Sequence, residues 1–338
     1  MSTGAEAAAV ARGLAFLARS QLGSGAFPVL ASTDPTFVDG VPDPSVFPTA
    51  LVAHCLSFHE AAAPLRARAC DFLLAEMDRH GLWKHWPRHH PQHESLPPDL
   101  DDTSCAAATL AAAGRDLPDH REILLANRNR EGLFLTWVVP RLRWTAAAHR
   151  RATLPQLRRA PALYLFFRKT SARPSDVDAV VNANVLFRLG PVAGTEPARE
   201  LLLAVLRAGD EARCDKWYES PFAIWYFFSR ALAGTAPEAG RIVGERIASA
   251  RPASALEAAL AICALNYWKA PVPATLTDLL LVEQRESGGW PAAALYHGGR
   301  RRLGRRAFAP PHPDTPHWGS EALTTGLAIE ALGNRGNG

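Results

Sequence analysis

Gln284-Arg285-Glu286-Ser287-Gly288-Gly289-Trp290 sets an aromatic residue two places after a glycine, directly behind a stretch with helical apolar spacing. The arrangement recurs as Gln21-Leu22-Gly23-Ser24-Gly25-Ala26-Phe27, as Gly81-Leu82-Trp83 and as Gly132-Leu133-Phe134. In the first copy the preceding apolar stripe is Val10, Leu14 and Leu17, one face of a helix. A glycine is what a helix stop needs there, because it enters left-handed backbone without a steric penalty. A recurring turn of this kind marks a chain built from repeated supersecondary units.

A second feature alternates with the first, a polar helix start leading into small and apolar residues. Six are read: Pro48-Thr49 into Leu51–Leu56, Asp101-Asp102-Thr103 into Leu110, Asp178 into Leu189, Ser220-Pro221 into Leu232, Ser254 into Leu265, and Gly319-Ser320-Glu321 into Leu332. Ser, Thr and Asp satisfy the free amides of a first turn, and Pro fits its first position. Gly114, Gly190 and Gly333 end three of the six. Six other helical stretches lie between them, near 5–20, 63–78, 116–127, 196–208, 236–250 and 273–284. Strict alternation predicts an all-α fold, an (α/α)6 barrel or toroid of six helical hairpins, with the alanine-rich set as the crowded inner ring. An open α-solenoid would show the same hairpins, but the repeat spacing is uneven. The apolar runs are too long and too rich in alanine for strands.

The 338 residues, 48% hydrophobic and 21% charged, can bury a large core. They are read as a single domain over 1–338, with two departures from the rhythm. One is a basic insertion near 138–170 that holds Arg141, Arg143, Arg150, Arg151, Arg158, Arg159 and Arg168 and ends in Leu163-Tyr164-Leu165-Phe166-Phe167. The other is an irregular loop near 297–317 that contains Arg300–Arg306 and several prolines. The net charge of +4 comes with arginine spread along the chain, which does not argue for nucleic acid. No apolar run is long enough for a membrane span. The first twenty residues lack the order of a signal peptide. Five cysteines without a CxxC pair read as reduced thiols in a cytoplasmic protein.

The chemistry is concentrated in Pro97-Pro98-Asp99-Leu100-Asp101-Asp102-Thr103-Ser104. Three carboxylates in four residues, opening an apolar helix, cannot all stay ionised in a poorly solvated site, so one must hold its proton. Such an acid can deliver a proton to a weak base, and an alkene is the weakest base in biology. Helix capping accounts for one aspartate well and two adequately, but does not require three.

Asp99-Leu100-Asp101-Asp102-Thr103 resembles the DxDD motif of class II terpene cyclases such as squalene–hopene cyclase and the copalyl diphosphate synthases. Gln284-x-x-x-Gly288-x-Trp290 is similar to their QW repeat, with partial copies ending at Phe27, Trp83 and Phe134. The resemblance implies a toroid of six hairpins and protonation-initiated cyclisation of an isoprenoid. Asp101 would be the acid, with Asp99 and Asp102 holding it. It also implies no redox cofactor, and Mg²⁺ only for a diphosphate substrate. Typical members carry two toroids with the site between them. One ring therefore implies either a pocket wholly inside it or a partner, a second copy or another chain, that completes it. The DDxxD motif of ionising class I enzymes does not occur, and Asp210 and Cys214 lack the spacing of the prenyltransferase zinc pair.

A carbocation is stabilised by aromatic faces that offer no trapping nucleophile. The densest aromatic run is Trp217–Phe228, in which Tyr218, Phe222 and Trp225 would share a helix face, a pattern equally suited to core packing. Trp318, Trp83 and Trp86 are further candidates for the pocket. Asp176 and Asp178 precede an inner helix as Asp99 and Asp101 do, and with Asn182 and Asn184 would supply a polar patch; a capping pair is the plainer reading. Histidines 80, 85, 89, 90 and 93 show no metal-ligand spacing and read as a solvated loop, so no metal site is expected. The arginine-rich stretches suit a substrate diphosphate or a peripheral contact with an anionic membrane, or are simply solvated. Outside the cyclase reading stand a non-catalytic isoprenoid- or lipid-binding toroid and a prenyltransferase-like subunit.

Overall fold

The computed structural model of the chain describes residues 4–141, 146–301 and 308–333. Its helices are α1 (Gly4–Ser20), α2 (Val46–Leu56), α3 (Ala63–Glu76), α4 (Leu100–Ala112), α5 (Arg121–Ala126), α6 (Ala147–Thr153) and α7 (Ala160–Lys169). There follow α8 (Ala179–Leu189), α9 (Glu196–Ala208), α10 (Pro221–Leu232), α11 (Pro237–Ser249), α12 (Ala255–Tyr267), α13 (Ala274–Glu283) and α14 (Glu321–Gly333). Helices α2, α4, α8, α10, α12 and α14 pack each against the next, and α14 returns to α2. The ring is closed, which excludes the open solenoid. These six helices are buried nearly all round, as Ala258, Ala259, Ala261 and Ala264 on α12 illustrate. Small side chains let neighbouring backbones approach where six helices converge. Helices α1, α3, α5, α9, α11 and α13 form the outer layer.

The glycine–aromatic turns are the mortar between the layers. Gly288 has φ +87°, and a Cβ there would lie 2.6 Å from the carbonyl oxygen of Arg12 on α1. Gly25, at φ +91°, lies tighter still against the Arg68 carbonyl of α3. Each turn thus leans on the next outer helix, and the last copy leans on the first helix, closing the ring. Gln21 Nε2 donates to the carbonyls of Gly25 and of Leu65 on α3, and Gln284 Nε2 to those of Gly288 and of Ala9 on α1. The aromatic residue of every turn donates its backbone N–H to a side chain in the first turns of an inner helix: Phe27 to Thr49, Trp83 to Thr103, Phe134 to Asn182 and Trp290 to Thr325, at 2.9–3.1 Å.

Several details differ from expectation. Helix α2 starts two residues ahead of Pro48, which a first turn tolerates because its missing N–H would have no partner there. Helix α5 is only six residues long. Strands do occur: β1 (Leu30–Ser32), β2 (Val41–Pro42), β3 (Ala294–His297) and β4 (His317–Gly319) form an antiparallel sheet in the order β2-β1-β4-β3. The strands are two to four residues long, too short for a periodic signal. The sheet ties the segment after α1 to the segment before α14 and lies at the rim where the inner helices begin. The basic insertion contains α6 and α7; Arg143 and Arg302–Arg306 lie outside the described residues. Arg300 is not a solvated arginine. It is buried, and its guanidinium donates to the carbonyls of Ala212, Asp215 and Tyr218.

Candidate active site

The inner helices run parallel, so their N-termini meet at one rim, and the positive ends of six helix dipoles converge there. A cavity with about 760 Å³ of empty space, counted out to its open mouth, lies at this rim. Asp99, Asp101 and Asp102 line it from the start of α4. Local backbone pairing fixes their entry: Asp99 donates to the Trp83 carbonyl, Leu100 to that of Thr136, and Val138 to that of Pro98, which has no N–H of its own.

The three aspartates have different work. Asp99 is the cap, its Oδ1 accepting from the Asp102 N–H at 2.8 Å. Asp102 is buried and stands 3.8 Å from His85 Nδ1. Burial, and then the charge of Asp99, push its carboxyl well above the usual carboxylate range. Burial also lifts Asp99, to about 6. The two side chains are hydrogen-bonded to each other, which requires one of them to carry a proton. The Asp101 side chain plays no part in the cap. Its Oδ1 accepts from Asn184 Nδ2 at 2.5 Å and its Oδ2 from the Tyr218 hydroxyl at 2.6 Å. Burial raises its pKa to about 7, with smaller contributions from the charges of Asp99 and Asp178; the Tyr218 and Asn184 bonds oppose the rise. Near neutral pH a large share of Asp101 therefore holds its proton beside an aromatic-walled space, while two donors stand ready to stabilise the carboxylate that remains after the proton leaves.

No protein-family model and no curated protein sequence matches the chain. Solved structures do. A protein from Actinoplanes superposes with a TM-score of 0.65 at 20% identity, over 98% of this chain and 99% of its own. A variant of the type II terpene cyclase MstE from Scytonema, in complex with its substrate geranylgeranyl dihydroxybenzoate, gives 0.67 at 15% identity, over 98% and 97%. The ent-copalyl diphosphate synthase from Streptomyces platensis gives 0.54 at 19% identity, over 86% of this chain and 50% of its own. The chain has the class II terpene cyclase fold.

On that cyclase fold the cavity walls divide the predicted aromatic residues into two groups. Trp86, Trp217, Tyr218 and Trp318 line the cavity. Trp318 stacks on Tyr296 with centroids 5.5 Å apart, and its indole N–H donates to Asp43 at 2.6 Å. Asp43 also accepts from Trp86 at 3.4 Å and pairs with His90 at 3.0 Å, so one carboxylate braces two tryptophans. Trp217 meets Trp137 edge-on at 5.9 Å and donates to Asp178 at 3.0 Å. The other group is structural. Trp83 is fully buried in its turn, with Nε1 donating to the Leu73 carbonyl at 2.7 Å, as Trp290 does to Leu280. Trp225 donates to Glu211 and packs against Phe222, and neither lines the cavity. The shared-face argument fails for Tyr218 because α10 begins only at Pro221, leaving Tyr218 in the preceding loop.

Asn182 and Asp178 also stand outside the cavity wall. Asn182 is the α8 counterpart of Thr49, Thr103 and Thr325, occupied with the backbone of Phe134. Its neighbour Asn184, about 200° further round the helix, points to Asp101 instead. Asp178 does not cap α8. It accepts from the Thr136 hydroxyl at 2.5 Å and from Trp217, and burial with the charges of Asp215 and Asp176 lifts it to about 7. Asp176 forms a buried ion pair with Lys216. The pair read as caps is therefore a brace for the Trp217 wall.

His85, expected in a solvated loop, lines the cavity and packs edge-on against Tyr296 and Trp318. Burial lowers its pKa to about 4, so it stays neutral beside Asp102. Asp43, Trp137 and Tyr296 were not singled out by the sequence, and His85 was read only as part of a solvated loop. Each lies in a loop, short strand or turn whose fold-back gives no spacing signal.

Proposed function

We propose that the chain is a class II terpene cyclase in which Asp101 protonates an isoprenoid alkene and the aromatic wall guides ring closure. The proton on the Asp101 carboxyl moves to the terminal alkene carbon and leaves a tertiary cation. The next double bond attacks that cation, forming a carbon–carbon bond and passing the charge inward. Loss of a proton from the last cation gives a cyclic isomer of the substrate. Trp217, Trp137 and Trp318 offer π faces along this path without a lone pair strong enough to trap the charge. Excluding water raises the acid's pKa and protects the cation together.

The observation that carries the reading is the placement of Asp101. It faces the cavity, both oxygens accept from neutral donors, and its neighbours are carboxylates rather than cations. A non-catalytic toroid would need these aspartates only as caps, and Asp99 alone does that. Among the described residues no group of three His, Cys, Asp or Glu side chains is placed to hold a metal ion. The zinc-dependent prenyltransferase reading therefore lacks a three-ligand donor set among these residues. An anionic substrate head would instead meet the cleft of Lys84, Arg88, Arg158 and Arg159, which adjoins the cavity at Leu96. Tyr164 and Leu165 on α7 are exposed among arginines, a face suited to receiving a greasy substrate from an anionic surface. Incubation with C10 to C30 isoprenoids in D₂O, with and without a diphosphate, tests the proposal. The expected product is a cyclic isomer of the substrate with one deuterium in place of one hydrogen. Unchanged substrate across the series would overturn it.

A further inference from the structure

The end of the inner ring opposite the cavity holds a buried arginine that the acid's own shell does not explain. Arg230, near the C-terminus of α10, is 5% exposed. Its guanidinium lies over the rings of Phe187, Phe227 and Tyr226 at 4.4–5.4 Å. Among the described residues no carboxylate lies within 4 Å of it. Glu330, the acidic side chain on the facing helix α14, accepts instead from the hydroxyls of Tyr226 and Tyr267. A buried cation without a contacting anion is costly and calls for a specific partner. Arg230 Nη2 donates at 2.6 Å to the carboxamide oxygen of Asn184, its short contact, and at 3.3 Å to Cys105 Sγ.

Asn184 is fully buried and has two faces. Its oxygen receives Arg230 and its NH₂ donates to Asp101 at 2.5 Å. A guanidinium has only donors, so the carboxamide cannot reverse without setting N–H against N–H. We propose that Arg230 is a positioning residue for Asp101: it locks Asn184 with its NH₂ toward the acid, and its charge polarises that amide into a stronger donor. The inference rests on the cyclase reading only for its consequence in turnover. Without the lock, Asn184 could turn its carbonyl to Asp101 and accept the acidic proton. The proton would then be held by the protein rather than offered to the alkene.

The groups that face Asp101 are Asp99, Asp102 and Cys105 on α4, Asp178 at the start of α8, Asp215 and Tyr218 ahead of α10, and Tyr296 on β3. None of them is a cation. Arg230, acting through Asn184, is the positive charge coupled to the acid by hydrogen bonds. The test is the titration of Asp101, followed as the carbonyl stretch of its neutral form in infrared difference spectra against Asp101→Asn, which requires no substrate. Arg230→Met fills a similar volume among the aromatic rings and removes the donors. It should raise the Asp101 midpoint by about one to two units. Arg230→Lys keeps the charge and a donor and should restore most of the shift. Where a cyclised product is found, Arg230→Met should lower kcat at least ~10-fold with KM little changed. A midpoint unmoved in Arg230→Met, with the variant folded by circular dichroism, overturns the inference and leaves the cyclase reading intact. Absence of product with every isoprenoid would strike that reading, while the titration would still decide this one.

Discussion

Tyr218→Phe removes one hydroxyl and little else, because the ring stays packed against Phe47 and Phe227. The lost bond is the 2.6 Å donation to Asp101 Oδ2. A hydrogen bond to a charged group contributes about 1.5–3 kcal/mol. Its removal should therefore raise the Asp101 pKa by about one to two units. In the transition state the acid is becoming a carboxylate, so the same energy is lost from the barrier, and kcat on the low-pH plateau should fall roughly 10- to 150-fold. The pH profile moves the other way. The proposed mechanism needs protonated Asp101, so wild-type activity should decline above about pH 7; in the variant that decline should begin one to two units higher. The sign is the same for stability. The folded pKa of Asp101 lies above the ordinary carboxyl value of 3.8, so its contribution is fully present below about pH 4 and is lost as pH rises through about 7. In Tyr218→Phe the loss should extend to higher pH. Steady-state rates from pH 5 to 9 and thermal melts over the same range measure both. A lowered plateau with an unmoved or acid-shifted decline would refute the assignment of Tyr218 as a donor to the acid.

Trp217→Leu should leave the first protonation intact but cost cation stabilisation of about 1–2 kcal/mol, read as a larger share of less cyclised products by mass spectrometry. Gly288→Ala forces a side chain onto the Arg12 carbonyl at positive φ and should lower Tm by several degrees, with no change in the product pattern. Lys216→Met leaves Asp176 as a buried, unpaired carboxylate and should cost about 3–5 kcal/mol in denaturant unfolding. Lys216→Met/Asp176→Leu should recover most of it.

The architecture was legible because it repeats. Six inner and six outer helices follow from alternating helix starts and glycine turns, whereas closure is seen in the structure, where the Gln284 turn returns to α1. The same repeat could have corrected two site assignments. Trp83 stands in its turn where Trp290 stands in another, and Asn182 occupies the fourth position of its inner helix as Thr103 does. Both are mortar by position, whereas Asn184 faces inward. Asp99, Asp101 and Asp102 stood out because like charges crowd one helix start. Only the structure separates the hydrogen-bonded pair Asp99 and Asp102 from Asp101, which faces the cavity. Tyr218, Trp137, His85, Asp43 and Tyr296 come from loops and very short strands. Long-range folding, such as the pairing of β1 with β4, assembles them, and no local periodicity encodes it.

The central claim is that the proton starting the reaction comes from Asp101. Asp101→Asn keeps the size of the side chain and its place between Tyr218 and Asn184 but has no acidic proton. With the substrate found to be turned over, the variant should show a cyclisation rate lowered at least ~1,000-fold, with its circular dichroism spectrum unchanged. A folded Asp101→Asn protein that forms the cyclic product at the wild-type rate would contradict the account.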